Sequence, residues 1–146
     1  MSFVRVPIKG WSKCVYEAAS FESNPEYCAA KLLDADSSVI WWLRNDPVRL
    51  RIPSPAGFLE PDFLYSKTIN GRQVIAVLEV KGEHLWNGPG SVARIKAAGA
   101  KAWARAIAEA KVDPEWHFHE VLGQDVESSH TLASMLDKAV LSFKGM

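Results

Sequence analysis

The stretch Ile69-Asn70-Gly71-Arg72-Gln73-Val74-Ile75-Ala76-Val77-Leu78-Glu79-Val80-Lys81 decides how this chain is read. Asn70-Gly71 is the strongest short signal for a two-residue hairpin loop, because both central positions of a type I′ turn need positive φ. Residues 73–80 are apolar at both parities until Glu79, the pattern of a central strand covered on both faces. A two-residue loop pairs Ile69 with Arg72, so paired residue numbers sum to 141 and Asp62 is expected directly opposite Glu79. Opposed residues share a face with Cβ atoms roughly 4.5–5.5 Å apart, and Lys81 joins that face at about 6.8 Å from Glu79. The register holds only without a bulge between positions 62 and 79.

Working back from the hairpin, Phe58–Thr68 is the partner strand, preceded by a proline-rich turn at Pro53, Pro55 and Gly57. Arg49-Leu50-Arg51-Ile52 alternates charged and apolar residues, as a half-exposed strand does. Val39–Arg44 is β-branched and aromatic and predicts another strand. Ser23-Asn24-Pro25-Glu26 has the form of a capping box with an early proline. It predicts a helix to about Leu33 or Asp34, with Tyr27, Cys28, Ala30 and Leu33 inward. Residues 3–8 and 13–21 are expected to be extended, joined near Lys9-Gly10 as an opening hairpin.

Beyond Lys81, Gly88 and Gly90 break the chain, and Ser91–Ala110 predicts a long helix. Trp116–Val121 is a short strand. Ser129 is expected to cap a last helix through about Phe143, with Leu132, Met135, Leu136 and Val140 as its apolar stripe. The expected fold class is α/β, a mixed central sheet flanked by helices with an N-terminal hairpin and an added C-terminal helix. At 146 residues, one domain is expected over 1–146.

Apolar residues make up 48% and charged residues 23%, an ordinary globular mix. The 17 basic and 17 acidic residues cancel, so no global attraction to nucleic acid exists; a DNA-binding surface must be local or supplied by a partner. No apolar run reaches the length of a membrane span, and Met1–Pro7 lacks the features of a signal peptide. A cytoplasmic protein is the expectation. Cys14 and Cys28 match no zinc spacing and no disulfide framework, and are expected as free thiols.

The chemistry sits in Pro61-Asp62 and Glu79-Val80-Lys81. Two carboxylates that close do not both ionise unless a cation lies between them. Mg²⁺ favours such oxygen ligands, taking one or two carboxylates plus water and substrate phosphate, and Lys81 can orient the attacking water or stabilise developing charge. The structural alternative is a cross-strand ion cluster at a sheet edge, with Lys81 holding both acids.

The same residues resemble the motif of the PD-(D/E)xK nuclease superfamily. With Ser23-Asn24-Pro25-Glu26, the Val39–Asn45 segment, Glu60–Leu64, Leu78–Gly82 and the Lys96…Trp103 helix, they are similar to the carboxy-terminal nuclease domain of type III restriction subunits, over roughly residues 20–121. The resemblance implies a restriction-endonuclease-like αβββαβ core and Mg²⁺-dependent hydrolysis of DNA phosphodiesters to 5′-phosphate products, with Mn²⁺ able to substitute. It implies metal binding by Asp62, Glu79 and the Val80 carbonyl, with Lys81 as the catalytic lysine. Glu26 matches the family's helical acid, although a capping box accounts for a Glu there equally well. Type III subunits couple this domain to an ATP-driven translocase, and this chain has no G-x-x-x-x-G-K-[ST] loop. A helicase or translocase subunit is thus an expected partner besides DNA, in a restriction, defence or recombination system. A homodimer would serve double-strand cutting. The rival from another class is a non-catalytic DNA- or partner-binding module that keeps the nuclease fold.

Other residues have two readings each. Arg94, Lys101 and Arg105 form a basic stripe opposite Val92, Gly99, Trp103 and Ile107, either solvated or contacting phosphate. Lys96 either snorkels or reaches towards the metal site. His117 and His119 share a strand face, as polar surface or half a metal site. His84, Arg49 and Arg51 are candidates for DNA contact or plain surface. The last helix is core, cap or dimer interface.

Overall fold

The computed structural model describes residues 6–55, 57–82, 92–111 and 113–144. Strands β1 (Ile8–Lys9) and β2 (Ala18–Ala19) precede helix α1 (Asn24–Ala35). Then come β3 (Val39–Arg44), β4 (Phe63–Ile69), β5 (Arg72–Lys81), α2 (Val92–Glu109) and β6 (Glu115–Leu122). Two short helices, α3 (Gly123–Ser128) and α4 (Leu132–Asp137), lead to a last strand, β7 (Leu141–Lys144). The fold is α/β. Five strands form one mixed sheet in the order β3-β4-β5-β6-β7, and β1 and β2 form a separate small antiparallel pair near the N-terminus.

The β4–β5 hairpin keeps the expected register from Ile69↔Arg72 to Phe63↔Leu78. Asn70 and Gly71 take φ of 51° and 76°, as their turn requires. Parallel pairing of β5 with β6 needs a crossover, and α2 supplies it. β5 is central, with Val74–Glu79 buried throughout. On one face Trp42, Phe63, Tyr65, Ala76 and Leu78 pack against Ala29, Ala30 and Leu33 of α1 and Val126, Leu132 and Met135 of the short helices. On the other, Val77, Phe118, Ile52 and Leu59 pack against Ala100 and Trp103 of α2.

Helix α1 begins where the capping residues place it and buries Ala30 and Leu33 as expected, with Glu26 and Ala29. Tyr27 and Cys28 are only half-buried against that core. Ser23 makes no side-chain cap to the backbone; its hydroxyl instead donates to Glu26 Oε2 at 2.8 Å. The opening hairpin pairs only Ile8↔Ala19 and Lys9↔Ala18, after which Lys13 and Val15 bond to Trp42 at the free edge of β3. Arg49–Ile52 forms no strand beyond the single bridge Ile52↔Leu59.

The expected single helix from Ser129 to Phe143 is corrected. Ser129 ends α3, its N–H donating to the Val126 carbonyl, and Thr131 caps α4 by accepting from Ser134 N at 3.1 Å. The chain then turns into β7 because Leu141 and Phe143 alternate with Ser142 and Lys144, a period of two that fits the open edge of β6. Leu141 and Phe143 fill the α2-side core. Among the described residues no helix is long and apolar enough to cross a membrane.

Candidate functional site

The end of the β4–β5 hairpin carries the acids, and the loop before β4 is tied down to place them. Buried Asn45 donates to the Leu50 and Pro61 carbonyls, at 3.0 and 2.9 Å, and accepts from Arg49 N and Leu50 N. Pro61-Asp62 is thereby fixed against the end of β3, where Asn45 N also donates to the Asp62 carbonyl at 2.8 Å.

The direct ladder pair expected between Asp62 and Glu79 is replaced by a bulge. Phe63 is the last residue paired with Leu78, yet Asp62 N also donates to the Leu78 carbonyl at 3.1 Å, so two residues face one. The bulge swings the Asp62 carboxylate past the strand end, where Oδ2 accepts from Val80 N at 2.8 Å. The Asp62 carboxyl still lies close enough to Glu79 for its charge to act on it. Burial, then the Asp62 charge beside it, holds Glu79 well above the usual carboxylate range. Burial also raises Asp62, against the lowering effect of Arg44 and the Val80 N–H. Lys81 Nζ lies 3.7 Å from Glu79 Oε1.

Glu26 comes to the same place from α1, through Arg44. Arg44 Nη2 donates to Glu26 Oε1 at 2.6 Å, and Nη1 donates to the Asp62 carbonyl at 2.9 Å and faces Asp62 Oδ1 at 3.4 Å. The guanidinium thus bridges two acids, both partners nearly buried. Burial, then the Asp62 charge, raises Glu26, with Arg44 opposing.

Two residues of this cluster escape a reading of the sequence. Arg44 is one; a strand-end arginine looks like ordinary surface until α1 brings Glu26 to it. The other is Glu120, paired beside Glu79 across the parallel β5–β6 ladder and 1% exposed. Burial pushes its carboxyl up to about 7, with Lys81 opposing and Asp62 reinforcing the shift. Glu79 Oε2 and Glu120 Oε2 are both buried and without a hydrogen-bond partner. A parity argument on β6 would have set Glu120 on the α2 side, but only the crossover register sets it beside Glu79.

Among the described residues no cluster of three or more His, Cys, Asp or Glu is arranged to hold a metal ion. Asp62 and Glu79 remain as a pair of close carboxylates with one unpartnered oxygen, and two carboxylates completed by water and substrate oxygen suffice for Mg²⁺. In an extended strand a residue's N–H and C=O face the same neighbour. The Val80 carbonyl therefore opens on the Asp62 side, past the end of the ladder.

The remaining candidates lie elsewhere. Lys101 and Arg105 are exposed on α2, away from the Trp103 face that packs on the sheet. Arg49 and Arg51 are exposed, and Arg51 pairs with Glu60 at 3.4 Å. His117 and His119 are buried on the opposite face of β6 from Glu120 and are not surface residues. His84 and the side chains of Arg94 and Lys96 lie outside the described residues. Comparison with protein-family models, curated proteins and solved structures gives no match to this chain.

Proposed function

We propose that this chain is a Mg²⁺-dependent DNA endonuclease of the PD-(D/E)xK type, its single domain built on an αβββαβ core from α1 to β6. The observation that carries the reading is the pair of neighbouring, largely buried acids Asp62 and Glu79 at a strand end, with Lys81 Nζ 3.7 Å from Glu79 Oε1. Two buried acids held this close are costly without a proton or a cation between them. In the proposal Asp62, Glu79 and the Val80 carbonyl hold Mg²⁺, or Mn²⁺ in its place. The bound ion would polarise the scissile phosphate and lower the pKa of a water.

The chain's own groups do the rest. Val80 N–H fixes Asp62 Oδ2 and so sets its angle to Glu79. Lys81 orients the attacking water and balances charge on the phosphate. Glu26, bound to both Ser23 and Arg44, acts by holding the guanidinium against Asp62, and is a positioning residue. Glu120 adds a further carboxyl beside Glu79, suited to accept a proton near neutral pH.

The test is nicking of plasmid DNA by the purified chain with Mg²⁺ or Mn²⁺, comparing wild type with Asp62→Ala and Lys81→Ala. Activity in the wild type that both variants lose supports the proposal. Equal nicking by all three ends it.

A second reading is favoured by one observation. Arg44 already neutralises part of the acidic cluster, as in a buried structural network. A DNA- or partner-binding module of a larger complex would bind duplex or protein without cleaving in either metal. Calorimetric titration with Mg²⁺ and with duplex DNA separates the two.

A further inference from the structure

A cavity of about 330 Å³ lies away from the candidate site, lined by β4 to β7 and the end of α4. That is the small end of the range for ligand pockets, roughly 300–1,000 Å³. His117 and His119 alternate with Phe118 and Glu120 along β6, so the sheet itself separates this cavity from Glu79 and Glu120. Its polar lining is rich in donors: Lys67, Lys144, His117, His119, Tyr65 and Ser142. Asp137 is the one carboxylate in the lining, against two ammonium groups, while Asp36 stands outside it near Lys67 and Tyr65.

The two imidazoles are buried, with ring centroids 6.2 Å apart. Ser142 Oγ sits 2.6 Å from His119 Nδ1 and orients that ring. Glu115, outside the lining, faces His117 Nε2 at 3.6 Å. Burial, then His117 and the ammonium groups of Lys144 and Lys67, holds His119 down at about 3, and burial lowers His117. Both rings are therefore neutral near pH 7; with Nδ1 held by Ser142, His119 has Nε2 left for a ligand, while His117 Nε2 already faces Glu115. Ile69, Val74, Ala76, Leu136 and Ala139 supply the apolar part of the wall.

We propose that this cavity binds a small organic anion, its carboxylate or phosphate head facing Lys67, Lys144 and the two imidazoles and its apolar body against Ile69, Val74 and Leu136. Two ammonium groups disfavour a cation, and a neutral apolar molecule offers them no acceptor. The proposal is independent of the nuclease reading, since no residue is shared between the two sites.

The experiment is a titration of the full ¹⁵N-labelled chain with phenyl phosphate, benzoate and benzyl alcohol, following the ring resonances of His117 and His119. At least one of the two anions is expected to saturate and to raise both imidazole pKa values, because a nearby negative charge favours imidazolium. The tighter of the two names the head group. Lys67→Met with Lys144→Met is expected to weaken that binding about tenfold or more. Lys144→Met alone, at an exposed position, serves if the double variant fails to fold. The proposal is overturned if neither anion saturates, if benzyl alcohol binds as tightly, or if the folded lysine variant binds like wild type.

Discussion

Glu79 and Glu120 lie side by side on parallel strands, each with one carboxylate oxygen buried and without a partner. One stands in β5 two residues before Lys81, and the other arrives by way of the α2 crossover. Carboxylates left like this are stable only while protonated or while a cation compensates them.

The first prediction concerns pH. Glu120 has a folded pKa of about 7, above its ordinary 4.5, so the native state binds its proton more tightly than the unfolded chain does. This group's stabilisation is complete below about pH 4.5 and is lost as pH rises to about 7, by up to about 3 kcal/mol. Glu26 and Glu79 are raised too and act in the same direction. His119 acts oppositely, since its folded pKa of about 3 lies below 6.5; its stabilisation is complete above that value and lost on acidification. Urea midpoints measured across this range should peak on the acid side of neutrality, and Glu120→Gln should flatten the alkaline fall. An unchanged alkaline slope in Glu120→Gln would refute the assignment.

A second prediction follows for metal. Saturating Mg²⁺ should raise the melting temperature, and at 100 times Kd the gain is about 3 kcal/mol. Asp62→Asn or Glu79→Gln should abolish that gain without unfolding the protein, since both keep the side-chain volume. A thermal shift retained by both variants would place the ion elsewhere.

Arg44 gives a third. Its removal strands Glu26 and Asp62, two nearly buried acids, so Arg44→Met should cost about 3–5 kcal/mol. Arg44→Lys should recover little of this, because an ammonium cannot span two carboxylates as the planar fork does. Denaturant unfolding of the three proteins is the measurement. A cost under about 1 kcal/mol, the range of an exposed pair, would show that the network is dispensable.

Helix α2 docks through a glycine. A Cβ on Gly99 would lie 2.6 Å from Ser54 Cβ and 2.7 Å from the Pro53 carbonyl oxygen. Alanine favours helix by up to about 1 kcal/mol over glycine, yet Gly99→Ala should destabilise by about 1–3 kcal/mol because part of the obstruction is backbone. Higher stability in the variant would mean that the Pro53–Ser54 loop is free to move aside.

Much of this architecture was legible because it is local. Two turn residues, Asn70 and Gly71, place seven pairs of the β4–β5 ladder in register, since positive φ at both is open to few sequences. Ser23-Asn24-Pro25 marks the start of α1 for a similar reason, whatever Ser23 itself bonds to. The last segment misled because Leu132, Met135, Leu136 and Val140 fit a helical period. A competing alternation at 141–144 becomes decisive only beside an open strand edge.

Sequence alone determined the hairpin register from Ile69↔Arg72 to Phe63↔Leu78, which carries Asp62 to the same strand end as Glu79 and Lys81, because a two-residue turn propagates along both arms. Only tertiary structure decided the bulge that swings Asp62 onto Val80 N, the Arg44 bridge to Glu26, and the place of Glu120 beside Glu79. Those contacts join segments distant in sequence, and their register is set by how α1 and α2 pack on the sheet, which no short stretch of residues encodes.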